Sequence, residues 1–109
     1  MICISAIYAN TAGSRFDAGY YRERHRPLAE SLLAPHGLHA LRISLGQQAL
    51  DGGPPPFWAI SEMIFPDRAT FDAGIAAAGP ALFADTPNYT DVTPVLQLSS
   101  WADASSGDQ

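Results

Sequence analysis

The sequence predicts an α+β domain with the element order βαββαβ, and three observations carry that prediction. Four short runs rich in β-branched and aromatic residues, at 2–8, 38–47, 57–65 and 95–101, are separated by turn-forming segments. Two longer stretches, 17–33 and 67 onward, repeat apolar residues at helical spacing instead. The 109 residues, 47% hydrophobic and 16% charged, supply one core and are too few for two.

Each element has its own signals. The first strand, "ICISAIY", ends in the turn cluster "ANTAGS". Asp17 is an N-cap for the first helix, because its carboxylate can accept the free backbone N–H groups of the first turn. At 100° per residue, Tyr21, His25, Leu28 and Leu32 fall within about 60° of one another and form one inward stripe. Pro27 deprives the Glu23 carbonyl of its donor, so the helix is expected to bend or open beside His25. "APHG" stops the helix, with Gly37 as C-cap. "LHALRISLGQ" alternates as a strand, and "QALDGGPPP" reads as a mobile surface loop or flap. "FWAISEMIF" is the strongest strand. Asp67 then caps a second helix carrying Phe71, Ile75, Ala78 and Leu82 on one face, which Gly79-Pro80 is expected to kink or split. "DTPNYTDVTP" is turn-rich, and "VLQLSSW" closes the sheet. The domain therefore spans 1–101, followed by a polar tail at 102–109 that is expected to fray. This order matches a ferredoxin-like arrangement, a four-stranded antiparallel sheet with two helices on one face.

Two helices cover only one face of such a sheet. In the third strand, Phe57, Met63 and Phe65 alternate with Trp58, Ile60 and Ile64, so both faces read as apolar. In the last strand, Leu96 and Leu98 oppose Val95 and Trp101 in the same way. A second copy packing its sheet on the first would cover the spare face, which predicts a homodimer with a barrel-like centre.

Composition excludes several partners. The net charge is −5, and all six basic residues are arginines, too few for the cationic face that nucleic acid requires. Arg22, Arg24 and Arg26 read as a solvated helix flank. Cys3 is the single cysteine, so no internal disulfide forms, and a cytoplasmic setting is expected. The apolar N-terminus lacks a basic region before it, and no run approaches the roughly 20 apolar residues of a membrane span. His25, His36 and His39 lack the spacing of a metal site, and no Gly-rich phosphate loop follows a strand. No metal and no dissociable cofactor are expected.

His25 and Tyr21 are the candidate catalytic pair, with Tyr21 one turn away as the hydrogen-bonding partner of a buried imidazole. The same position also suits an ordinary core histidine bonded to one backbone carbonyl. Leu28, on the same stripe, and Trp58, on the sheet, are candidate substrate contacts. Asn88 and Tyr89, in "DTPNYTD", are candidates for the polar rim of a pocket. For Asp85 and Asp91 in that stretch, a turn in which each bonds its own backbone is a sufficient reading.

The combination of "FDAGYYRERHRPLAESLL", the Pro-rich loop before "FWAISEMIF", and "FADTPNYTDVTPVLQLSSW" resembles the EthD family. The specific elements are Tyr20, Tyr21, His25, Pro27 and Leu28 in Y-Y-x-x-x-H-x-P-L, and Pro87 to Asp91 in P-N-Y-T-D. The resemblance implies a dimeric α/β barrel and a small apolar pocket between helices and sheet in each subunit. It implies His25 as the leading site residue and a link to ether degradation. The expected activity is cofactor-free acid–base chemistry on a small apolar compound, with a non-catalytic carrier for a partner oxygenase as the alternative.

Overall fold

In the computed structural model the chain is described over residues 1–102, so the tail assignment beyond Ala102 lies outside the described residues. Four strands, β1 (Ile2–Ala9), β2 (Ala40–Leu45), β3 (Phe57–Phe65) and β4 (Val95–Ser100), form one antiparallel sheet in the order β2-β3-β1-β4. Four helical segments, α1 (Ala18–Tyr20), a π turn (Tyr21–His25), α2 (Arg26–Leu33) and a 3-10 turn (Ala34–His36), run end to end between β1 and β2. The helix α3 (Arg68–Asp85) lies between β3 and β4. This is the predicted ferredoxin-like α+β fold.

The end signals work as their chemistry requires. Asp17 accepts from the Tyr20 amide, and Asp67 from the Thr70 amide at 2.8 Å. Gly37 ends the first helical run at φ 92°, a left-handed conformation that a Cβ would disfavour. Gly74 allows α3 to approach closely, since a Cβ there would meet His36 at 3.1 Å. Among the described residues no helix is long and apolar enough to cross a membrane.

Three expectations change. The helix α3 is not split at Gly79-Pro80: Pro80 and Ala76 both lie on its exposed side, where water can take the carbonyl that proline leaves unpaired. The strand expected at 38–47 shortens to Ala40–Leu45. Trp58 sits where the β1–β3 register slips, with Tyr8 opposite Ala59 and Ala9 opposite Phe57. An extra residue at such a bulge is re-aimed. The indole stacks on Phe16 at 6.3 Å, and its N–H donates to Ser14.

Cross-strand pairs share a face, which sorts the sheet. Ile4, Ala6 and Tyr8 face the helices with Met63, Ser61 and Ala59, and Leu98 and Leu96 belong to the same face. The opposite face mixes Ile7, Ile60, Ile64 and Val95 with Ser5, Arg42, Glu62 and Gln97. Beneath the helices the core divides in two. Leu33, Leu41, Phe65 and Leu82 anchor one cluster, while Tyr8, Tyr21, Ala59 and Tyr89 anchor the other. At the sheet edge, Val95, Leu96 and Leu98 remain 63%, 55% and 41% exposed.

Candidate functional site

The site begins with the proline. Pro27 cannot donate, and the turn before it widens so that the Arg26 amide bonds the Tyr21 carbonyl, five residues back. The wider turn moves the inward face one residue along the chain. Tyr21, His25, Ala29 and Leu33 are buried, whereas Leu28 and Leu32 are half-buried. The stripe thus advances by four residues each time, where an uninterrupted α-helix would drift off it.

His25 is 9% exposed, and its ring stacks on Tyr21 with centroids 5.4 Å apart. Its hydrogen bonds go elsewhere. Nδ1 lies 2.8 Å from Oδ2 of Asp85, at the end of α3, and Nε2 lies 3.4 Å from the Tyr89 hydroxyl. The partner role assigned to Tyr21 therefore falls to Asp85 and Tyr89, while Tyr21 contributes a stacked wall. The other Asp85 oxygen accepts from the Tyr20 hydroxyl at 2.6 Å and from the Asn88 amide at 3.0 Å. Burial pushes the Asp85 carboxyl up, but the bonds from Tyr20, His25 and Asn88 outweigh it and hold the group below the usual carboxylate range. An ionised carboxylate can only accept. It therefore assigns the proton of a neutral imidazole to Nδ1 and leaves the Nε2 lone pair facing Tyr89.

A chain of phenols continues from there. The Tyr89 and Tyr8 hydroxyls lie 2.9 Å apart, and Tyr89 is fully buried. Burial pushes the Tyr89 phenol up to about 12, and raises Tyr8 and Tyr21 as well. Tyr20 is raised chiefly by its bond to Asp85. These are the only four tyrosines in the chain. No phenol should therefore ionise near the ordinary value of about 10 while the protein is folded. Each folded value lies above its unfolded one, so the native state holds protons that the unfolded chain releases above about pH 10. Stability should fall as pH rises from there. A spectrophotometric titration should show tyrosinate appearing late and together with unfolding, and a tyrosinate signal near pH 10 in the folded protein would contradict this network.

These groups border a cavity of about 580 Å³ that takes its walls from both core clusters. Tyr8, Tyr21, His25, Ser61 and Tyr89 give it polar atoms, and Leu41, Met63, Phe71, Ile75 and Leu82 give it an apolar wall. Arg15 and Arg26 also border it, but Arg15 donates to the Pro87 carbonyl at 2.9 Å and Arg26 pairs with Glu30. The volume lies within the range of about 300–1,000 Å³ typical of small-molecule sites.

Of the residues singled out from sequence, the structure gathers His25, Tyr21 and Tyr89 around this cavity. Asn88 is exposed and steadies Asp85 and Tyr20. Neither Trp58 nor Leu28 reaches the cavity: the bulge turns the first toward Phe16, and the π turn gives the second's place to Ala29. Asp91 accepts from the Arg15 amide, so it ties two loops together rather than closing its own turn. Tyr8 and Ser61 were missed, although each is a polar tip on the helix-facing alternation of its strand. Among the described residues, no three His, Cys, Asp or Glu side chains stand together as metal ligands.

Comparison with known proteins bears on the family and the fold. No curated protein matches the chain. An EthD-like protein from Ralstonia eutropha JMP134 is 32% identical, with 96% of this chain and 95% of that one covered, and a TM-score of 0.85. An ethyl tert-butyl ether degradation (EthD) family protein from Bacillus halodurans C-125 is 19% identical over 93% of this chain and 98% of that one, at a TM-score of 0.73. An antibiotic biosynthesis monooxygenase shares the fold at 16% identity and a TM-score of 0.53, covering 94% of this chain and all of that one (100%). The EthD domain matches residues 14–93, which span the π turn, the end of α3 and Tyr89, and the protein belongs to the EthD family.

Proposed function

We propose that the protein binds a small, mostly apolar organic molecule in this cavity and performs cofactor-independent acid–base chemistry on it. The observation that carries the reading is His25, held through Nδ1 by an ionised carboxylate, with Nε2 directed toward the cavity's polar groups. His25 is the general acid/base, Asp85 fixes its tautomer, and Tyr8 and Tyr89 are neutral donors for charge that develops on a substrate oxygen. The ether-degradation family to which the Bacillus relative is assigned supports a catabolic setting. A cytoplasmic location is supported by the single buried thiol of Cys3.

The working unit is a homodimer. The exposed apolar residues of β4, together with Ile7, Ile60 and Ile64 on the uncovered face, support packing against a second copy. Sedimentation equilibrium should give the mass of two chains, and a mass of one chain at micromolar concentration would remove the dimer. Occupancy of the cavity is tested with Ile75→Trp, which fills it from α3 without touching the polar groups. Calorimetry with small aromatic and alicyclic compounds should show at least about tenfold weaker binding than wild type, with the fold retained. Equal binding by both proteins would place the ligand elsewhere. A carrier, by contrast, would bind these compounds without turning any of them over.

A further inference from the structure

Three polar groups of the cavity lie together. The Tyr8 and Tyr89 hydroxyls, 2.9 Å apart, and the Nε2 atom of His25, 3.4 Å from Tyr89, share one corner. The longer contact leaves Nε2 weakly engaged, whereas Nδ1 is fully committed to Asp85 at 2.8 Å. Neither arginine bordering the cavity bonds these groups: Arg15 donates to the Pro87 carbonyl, and Arg26 pairs with Glu30 at 3.6 Å. This corner thus offers one base and neutral hydroxyl donors beside an apolar wall. That set suits a molecule arriving uncharged with a single weakly acidic oxygen better than a preformed carboxylate or phosphate, which would call for a free guanidinium.

We propose that this corner is an oxygen subsite and that the ligand is a weak O–H acid, a phenol or an enol, with an apolar remainder. The ligand oxygen enters beside Nε2 and displaces the long contact to Tyr89. Its O–H bond breaks, the proton forms an N–H bond at Nε2, and the electron pair stays on the oxygen. The resulting oxyanion accepts from Tyr89, which is supported by Tyr8, and the imidazolium is balanced by Asp85. No electrons are transferred and no further reactant is needed. The groups facing the imidazole are Asp85 from α3, Tyr89 from the loop after it and Tyr21 from the π turn, with Tyr8 of β1 behind Tyr89.

This deepens the acid–base reading and rests on it, so the test separates the two. The probes are 4-nitrophenol, whose phenolate band reports where the proton resides, and its methyl ether, 4-nitroanisole, which has the same shape and no acidic hydrogen. Wild type should bind the phenol roughly ten- to a hundredfold more tightly than the ether. The bound phenol should show its phenolate band at a pH where the free probe is mostly protonated. His25→Gln should remove that band, and Tyr89→Phe and Tyr8→Phe should reduce it, with circular dichroism checking the fold of each variant. Equal binding of phenol and ether would overturn the oxygen subsite while leaving the cavity intact. Binding of neither probe would overturn both readings. A bound phenol that titrates as it does in free solution overturns the proton transfer from wild type alone, without recourse to any variant.

Discussion

Phe65→Ala is expected to lower the unfolding free energy by about 3–5 kcal/mol. The ring is fully buried at the end of β3, meets Phe71 edge-on at 5.4 Å and packs beside Leu33 and Gly74. Removing it takes away contact with both helices and the sheet together. Little can collapse into the gap, because Gly74 already brings the α3 backbone as near as it can come. A domain of this size has roughly 5–15 kcal/mol in all, so the variant should unfold at a much lower urea midpoint with an unchanged slope. A loss under about 1 kcal/mol would mean that the Leu33–Phe65–Leu82 cluster is not the main core.

The second large effect concerns chemistry. For any compound that the protein turns over, His25→Ala should lower kcat/KM by about 10²–10⁴-fold, the range for losing a positioned general acid or base. Asp85→Asn is the sharper variant. It keeps the shape of the side chain, but its amide can turn an N–H toward Nδ1 and transfer the ring proton to Nε2. The base is then blocked while the imidazole stays in place, so activity should fall without a matching loss of ligand affinity. Activity that survives both substitutions would remove the acid–base assignment. Ligand binding without turnover in wild type would favour the carrier reading.

The contrast between Asp67 and Asp85 explains what the sequence can and cannot reveal. Asp67 acts on an amide three residues away, so composition and spacing suffice to find it. Asp85 acts on an imidazole 60 positions earlier in the chain, and its local surroundings already satisfy a turn. Only the folded arrangement, which brings the end of α3 to the π turn, turns that aspartate into a histidine partner. Tyr21 and His25 were legible because they share a stripe within one turn. Leu28 was misplaced because period arithmetic assumes 3.6 residues per turn, and the proline breaks that assumption one turn earlier. Trp58 failed for the equivalent reason in a sheet, where one bulged residue upsets strict alternation. Tyr8 lay in plain view, yet nothing in a single strand says that its hydroxyl will find Tyr89 81 positions later.

The π turn also bears on how chains of this kind should be compared with one another. Arg22, Glu23 and Arg24 all point to solvent, and the five-residue backbone bond closes around them. Removing any one of them would let the turn tighten to ordinary α geometry while both flanking helical faces kept their orientation. Between the paired tyrosines and the proline, then, this helix can lose a residue without turning its cavity-facing side away. An alignment that forbids gaps inside helices would set such a shorter chain one residue out of step from the histidine onward, and would pair Leu28 with positions that belong to Ala29.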